Sequence, residues 1–249
     1  MPRLLPFLMM GLVAASAQGA PVALTGTVRD FHADGVNFEG GGGAGAGMVV
    51  STLSGPSPTL TALGASSVSN TGAGAFSNWY TRATDSTSYA LTLNETFAGS
   101  GIYTYSSNAF FPIDGQLYGN EGRSHNYHFT YQIAATFGYT QGAGQTFSFT
   151  GDDDVWVYFD KQLGIDLGGV HGAQSATVNL DTLFGSMGGR ASGNYSFDFF
   201  FAERHTTESN LQISTSLALQ PNSNGVPEPG SVMLAALALA ALRVTRRRR

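Results

Sequence analysis

The sequence predicts an all-β fold, a sandwich or barrel of short antiparallel strands. Three observations carry this. Apolar and polar residues alternate in run after run of strand length, each bounded by turn-forming residues. Between the two ends of the chain, no stretch sustains a helical period. With 33 glycines, 17 phenylalanines, 10 tyrosines and only 12% charged residues, the composition suits strands joined by long loops outside the cell.

The elements follow in order. Residues 25–31 read as a first strand. Residues 40–47 are nearly all glycine and alanine; they lack the flanking strand and helix of a phosphate loop and read as a flexible loop. Residues 49–75, rich in Ser, Thr, Gly and Pro, read as a long, ill-defined connection. Phe76, Trp79 and Tyr80 form an aromatic cluster that belongs to a core, with Trp79 as the lesser alternative of a sugar-stacking platform. Strands are then predicted over 89–93, 101–105, 127–137, 145–149, 155–159, 163–167, 177–180, 195–202 and 211–219. The 155–159 and 163–167 pair should form a hairpin around a tight turn at Lys161-Gln162.

Residues 1–17 carry Arg3, a short apolar run and the small-x-small pattern Ala15-Ser16-Ala17, the signature of a secretory signal peptide. Residues 18–220 then form one β domain, and residues 221–249 a C-terminal signal. In the latter, Pro227-Glu228-Pro229 precedes an apolar stretch over 231–242 that is short for a bilayer, followed by Arg243 and Arg246 to Arg249. This layout resembles the PEP-CTERM sorting signal. The resemblance implies a Gram-negative bacterium, transient anchoring in the inner membrane through the C-terminal helix, exosortase processing near Pro-Glu-Pro, and release to the cell surface or an exopolysaccharide matrix.

Charge narrows the partners. Six of the twelve basic residues and one of the seventeen acids lie in these ends, leaving sixteen acids against six bases between them. An acidic domain of this kind is a poor nucleic-acid binder, because phosphate contacts need clustered cations. It is a plausible host for cations. The absence of cysteine in an exported chain leaves a core, a metal or both to hold the fold.

Asp152-Asp153-Asp154 is the sharpest local feature. Three contiguous carboxylates repel one another, and backbone N–H groups, water or a cation must compensate. They abut the β-branched and aromatic run Val155-Trp156-Val157-Tyr158-Phe159, which has the make-up of a buried strand. Carboxylates at the mouth of a strand suit a hard cation such as Ca2+; a solvated acidic turn is the alternative. Other chemistries find less support. His125 and His128 have a finger-like spacing but lead into a strand, where residues three apart face opposite ways. No Gly-x-Ser-x-Gly elbow is present. A pair of carboxylates flanking a glycosidic bond has no sequence signature, but contiguous aspartates suit metal better.

Several stretches fit one family together: Val28-Arg29-Asp30-Phe31, Phe110-Phe111-Pro112-Ile113-Asp114-Gly115, Gly151 to Val157, Ile165-Asp166-Leu167-Gly168-Gly169-Val170-His171, and Ala202-Glu203-Arg204-His205-Thr206-Thr207-Glu208-Ser209-Asn210. In this order they resemble the fibro-slime domain, over about residues 28–217. That family is similar to the PA14 β-sandwich, so the resemblance implies an antiparallel PA14-like sandwich. It also implies a calcium site built on two adjacent aspartates joined by a cis peptide, with sugar hydroxyls bound to the same ion. The pair is Asp152-Asp153 or Asp153-Asp154. The second calcium loop of the family matches residues 203–210, with Asn210 as the favoured ligand there; Glu203 and Glu208 are further oxygens, and a structural ion pair or a strand-end hydrogen bond at Glu203-Arg204 is the plainer alternative. The expected metal set is Asp152, Asp153, Asp154 and Asn210. The implied function is non-enzymatic, calcium-dependent binding of an extracellular glycan or exopolysaccharide. A structural matrix protein whose calcium only stiffens loops is the alternative, and a glycan-cleaving enzyme a weaker one.

Overall fold

The computed structural model describes residues 19–33, 37–40 and 45–222. The signal peptide expected over 1–17 and most of the C-terminal signal lie outside these residues. Eleven strands dominate: β1 (Val22–Asp30), β2 (Ser86–Glu95), β3 (Tyr103–Ser107), β4 (Phe129–Tyr139), β5 (Thr146–Gly151), β6 (Asp154–Phe159), β7 (Gln162–Leu167), β8 (Gln174–Asn179), β9 (Gly193–Glu203), β10 (Leu211–Thr215) and β11 (Ala218–Pro221).

All the strand pairs are antiparallel. One layer runs β7-β6-β9-β4-β1-β2 and the other β3-β10-β5-β8. The end of β2 bends across to pair with β3, through Asn94 opposite Thr104, and so joins the layers on one side. The expected antiparallel sandwich is thus present. Between the layers lies the main core, where Val155, Val157, Phe159, Phe197, Phe199 and Phe201 from β6 and β9 meet Phe147, Phe149 and Ile213 from the facing layer.

A strand's side chains alternate between faces, so β6 and β9 also send Trp156, Tyr158, Phe200 and Ala202 outward. These are buried too, under Phe31, Phe38, Met48, Val49, Leu53, Val68, Phe76, Trp79 and Tyr80. This second core explains why β6 is apolar at every position after Asp154. It also corrects the reading of 49–75 as an ill-defined connection. That segment bridges to itself at Val49 and Leu60 and to β7 through Thr52 and Gln162. Its apolar residues are too scattered for a period, and its helix α1 (Ala62–Ser67), capped by the Thr61 side chain, is too short to show one. Trp79 is fully buried, with its indole N–H on the Gly74 carbonyl at 3.0 Å, so it is core and not a platform.

Two smaller differences have local causes. The β6–β7 turn lies at Asp160-Lys161, one residue before the expected place, with φ of 50° and 63°. A two-residue hairpin loop of this hand needs positive φ at both positions. Here Asp160 is tied to Arg190 and Lys161 to Asp198, each at 2.7 Å. The strand expected to end near Leu180 gives way to helix α2 (Leu180–Ser186), because the Asn179 side chain accepts from the Thr182 N–H and caps it.

Candidate metal and ligand site at the crossover end

Three short connections, beside the longer one from β3 to β4, pass from one layer to the other at the same end of the sandwich. β5 pairs with β10 and with β8, while β6 pairs with β9 and with β7. The chain therefore crosses between layers at β5–β6, at β7–β8 and at β9–β10. Gly151 lies opposite both Leu211 and Gln174, and on the other layer Asp154 lies opposite Ala202. This register gathers the aspartate turn, the 168–173 loop and the 203–210 loop into one cluster, although the first and last are some fifty residues apart in sequence.

The aspartate turn is tight because Gly151 lets the chains close. A Cβ there would fall 2.3 Å from the Asn210 carbonyl oxygen. Asp153 takes the turn at φ 52°. All peptide bonds among the described residues are trans, so the cis bond implied by the resemblance is not the device used here.

The three carboxylates have different surroundings. Asp152 accepts from the Asn210 backbone N–H at 2.5 Å and from its side-chain amide at 2.9 Å. Asn210 thus meets the aspartate turn, as the family resemblance implied, and its amide also reaches Glu208 at 3.1 Å. Asp153 accepts from the Arg204 N–H at 2.6 Å and from the His171 N–H at 3.3 Å. Asp154 points the other way, toward the second core. One of its oxygens accepts from the Gly169 N–H at 2.6 Å, and the other lies 2.6 Å from Nε of Arg204. That contact is an ion pair off hydrogen-bond alignment, since neither atom has an aligned partner. Arg204 is completed by the Asn37 carbonyl at 3.1 Å and by the face of Trp79.

Asp154 is therefore a structural anion, turned away from the cleft that Asp152 and Asp153 line. The alternative pairing of Glu203 with Arg204 is also corrected: Arg204 serves Asp154. Glu203, only 1% exposed, keeps one carboxylate oxygen without a hydrogen-bond partner. Burial, and then the charges of Asp153 and Asp152, push the Glu203 carboxyl far above its usual range. Burial and the neighbouring Asp154 charge push Asp153 up to about 8. Like charges that protein donors do not fully compensate are what a bound cation would relieve.

The turn borders a cleft of about 380 Å³ lined also by Glu39, His171, Arg204, Thr207 and Glu208. The carboxylates that line the cleft are Glu39, Asp152, Asp153 and Glu208, whereas Glu203 is buried and does not line it. Among the described residues, no three His, Asp or Glu side chains converge into a ready-made metal cage. Two of them are drawn instead to the backbone of Asn210, Arg204 and His171. Asn37-Phe38-Glu39 is one of the stretches that carry the family resemblance, but nothing in the sequence assigned Glu39 a role. His171 acts through its backbone, and its ring meets the Leu167 and Gly172 carbonyls. His125 and His128 do not cooperate: the first pairs with Asp114 at 2.6 Å and the second with Glu39 at 2.7 Å.

This fold and site define an all-β sandwich with an acidic, loop-built cleft at one end. Among known proteins, the PA14 domain family matches residues 111–232, and the PEP-CTERM protein-sorting motif matches residues 225–249. Each match marks a segment that is similar to its family, and neither spans half of the chain. It is 45% identical over 145 residues to Protein psiQ and 48% identical over 139 residues to Protein psiC, both of Dictyostelium discoideum. These matches cover 53% of the chain but only 14% and 26% of the two relatives. The crystal structure of the PA14 domain of MpAFP antifreeze protein aligns at a TM-score of 0.38 and 8% identity, covering 86% of this chain and 98% of that one. The sorting motif implies exosortase processing and a secreted or surface protein of a Gram-negative bacterium.

Proposed function

We propose that this protein is a non-enzymatic, calcium-dependent carbohydrate-binding or adhesive component of the cell surface or exopolysaccharide matrix. One observation supports the reading most: Asp152 and Asp153, the latter raised in pKa, line an open cleft, and Glu203, buried nearby, keeps one carboxylate oxygen without a partner. Calcium takes 6–8 oxygens, so carboxylates from the turn and the 203–210 loop would fill part of a shell and leave places for sugar hydroxyls. Asp152, Asp153 and Glu203 would hold the ion, with the Asn210 side chain at the rim. The ion would supply positive charge and a direct bond to vicinal hydroxyls.

The rival reading is a structural matrix protein whose calcium only stiffens the loops. It is favoured by the hydrogen bonds that already tie Asp152 to Asn210 and Asp153 to Arg204.

A glycan array with and without chelator separates the two. A ligand bound only by the folded state, at 100 times its dissociation constant, adds about 2.7 kcal/mol. Calcium should therefore raise the melting temperature visibly, and Asp153→Ala should remove most of that response along with sugar binding. Asp160→Ala should leave both in place, because that turn lies at the far end of β6, about 17 Å away by strand rise. An unchanged melt with chelator would sink the metal, and release of cleaved products from matrix polysaccharide would overturn the non-enzymatic reading.

Processing has its own expected result. Exported protein should lack residues 231–249, with transient inner-membrane anchoring ended by an exosortase. Mass spectrometry finding the arginine cluster intact on exported protein would refute this.

A further inference from the structure

Next to the aspartate cleft lies a second cleft of about 630 Å³ that shares Thr207 and Glu208 with it. Its wall is an aromatic shelf. The Phe111 and His125 rings stack at 3.9 Å with 6° between their planes. Tyr127, itself buried, stands edge-on to both, at 5.0 Å from Phe111 and 5.8 Å from His125. Asp114 fixes the imidazole from the side at 2.6 Å, and its other oxygen accepts from the Asn126 N–H at 2.8 Å. The shelf is therefore held in place before anything binds, yet 38% of the His125 side chain is open to solvent.

Apart from Ala109, Ala173 and Glu208, the rest of the lining is amide and hydroxyl. Gln212 donates to Asn108 at 2.9 Å, so this pair presents further donors and acceptors in a set orientation. No Lys or Arg lines the cleft, and Glu208 does. That composition repels phosphate and offers no wholly apolar pocket for a lipid. A flat ring face opposite paired amides suits a neutral pyranose, which shows C–H groups on one face and hydroxyls around its edge.

We propose that this cleft is a calcium-independent subsite for a second, neutral sugar residue of the glycan, stacked on the Phe111–His125 shelf. The proposal rests on the reading of the neighbouring cleft as the place of the first sugar. It makes the minimal ligand at least two residues long, running from the aspartate turn past Glu208 to the shelf.

The test uses the full secreted protein in calcium, titrated with mono-, di- and trisaccharides of glucose, galactose and mannose and followed by NMR of the histidine and aromatic ring signals. The expected result is that one series binds about tenfold tighter as a disaccharide than as a monosaccharide, the size of one good ring contact. The gain should come with shifts of the His125 and Phe111 ring signals. His125→Ala should abolish that gain while leaving monosaccharide binding and the calcium-dependent melt unchanged. Phe111→Leu, which keeps apolar bulk, should do the same. A length gain that survives both variants, or sugar binding at the aspartate cleft with no shift on the shelf at any length, would overturn the proposal. Ring shifts that persist in chelator, with no calcium response anywhere, would uphold the shelf and remove the calcium reading beside it. Binding of no saccharide in either cleft would remove both.

Discussion

Asp154→Ala is expected to destabilise the domain by about 3–5 kcal/mol, the usual result of stripping one partner from a buried ion pair. Asp154 and Arg204 are both shielded from solvent and lie 2.6 Å apart. The variant would leave a guanidinium deep in the second core with only the Asn37 carbonyl and the Trp79 face for company. It would also orphan the Gly169 N–H, which has Asp154 as its acceptor. For a domain of this size the melting temperature should fall by roughly 10 °C. Urea unfolding checks the size, and a loss under about 1 kcal/mol would show that the pair is not sealed from water. The double variant Asp154→Leu with Arg204→Met should regain much of the loss, because removing both charges also removes their desolvation cost. If it does not, Arg204 matters mainly through its packing on Trp79.

The second large effect is a pH dependence of the opposite sign to that of an ordinary carboxylate pair. Asp153 is pushed up to about 8 and Glu203 well above its normal range. Their unfolded values are near 3.9 and 4.3. A group whose folded pKa is raised adds stability at low pH, and this is lost as pH rises through the folded value. In chelator, the melting temperature should therefore fall as pH climbs from about 5 to about 9. Asp30, raised by burial to about 6, contributes in the same direction over the lower part of that range. Comparison with Asp153→Asn removes this background, and the variant should show a shallower decline and a higher melting temperature than wild type near pH 8. A flat or rising profile for the chelated wild-type protein would contradict the carboxylate assignment. If calcium binds as proposed, its added stabilisation should grow over the same range, since the carboxylates must lose their protons to hold it.

Much of the sandwich was legible because its strands alternate. β4 and β9 place Ile133, Phe137, Phe197 and Phe199 on one face, and that period is plain in the sequence. The second core was not legible. Met48, Leu53 and Val68 stand singly among glycine, serine and threonine, and only the two-sided burial of β6 shows that something must cover it. The site was half legible. The family resemblance implied that the aspartate turn and the 203–210 loop meet, and Asn210 does reach Asp152. Asp154 was misjudged for a reason visible in hindsight. It shares a face of β6 with Trp156 and Tyr158, so whatever buries those rings also buries its carboxylate, and a buried carboxylate demands Arg204. Glu203 was underrated because its burial depends on the loop that folds back over it. Neither the shelf of Phe111 and His125 nor the role of Glu39 leaves a trace in spacing, since the first is made by the two ends of the β3–β4 connection and the second by contact between that connection and the one after β1.

The placing of three short crossovers at one end also sets how the domain carries load. A pull on whatever is held at the aspartate turn runs along β5, β6, β9 and β10 together, and through the 168–173 loop into β7 and β8. These strands are laced side by side by antiparallel hydrogen bonds in both layers. Tension along their length must shear many of those bonds at once, whereas tension across an edge would peel them one by one. Were the aspartate turn to hold a ligand as proposed, the grip would sit where the fabric is strongest lengthwise, and the domain could transmit force through it without first giving way at its own seams.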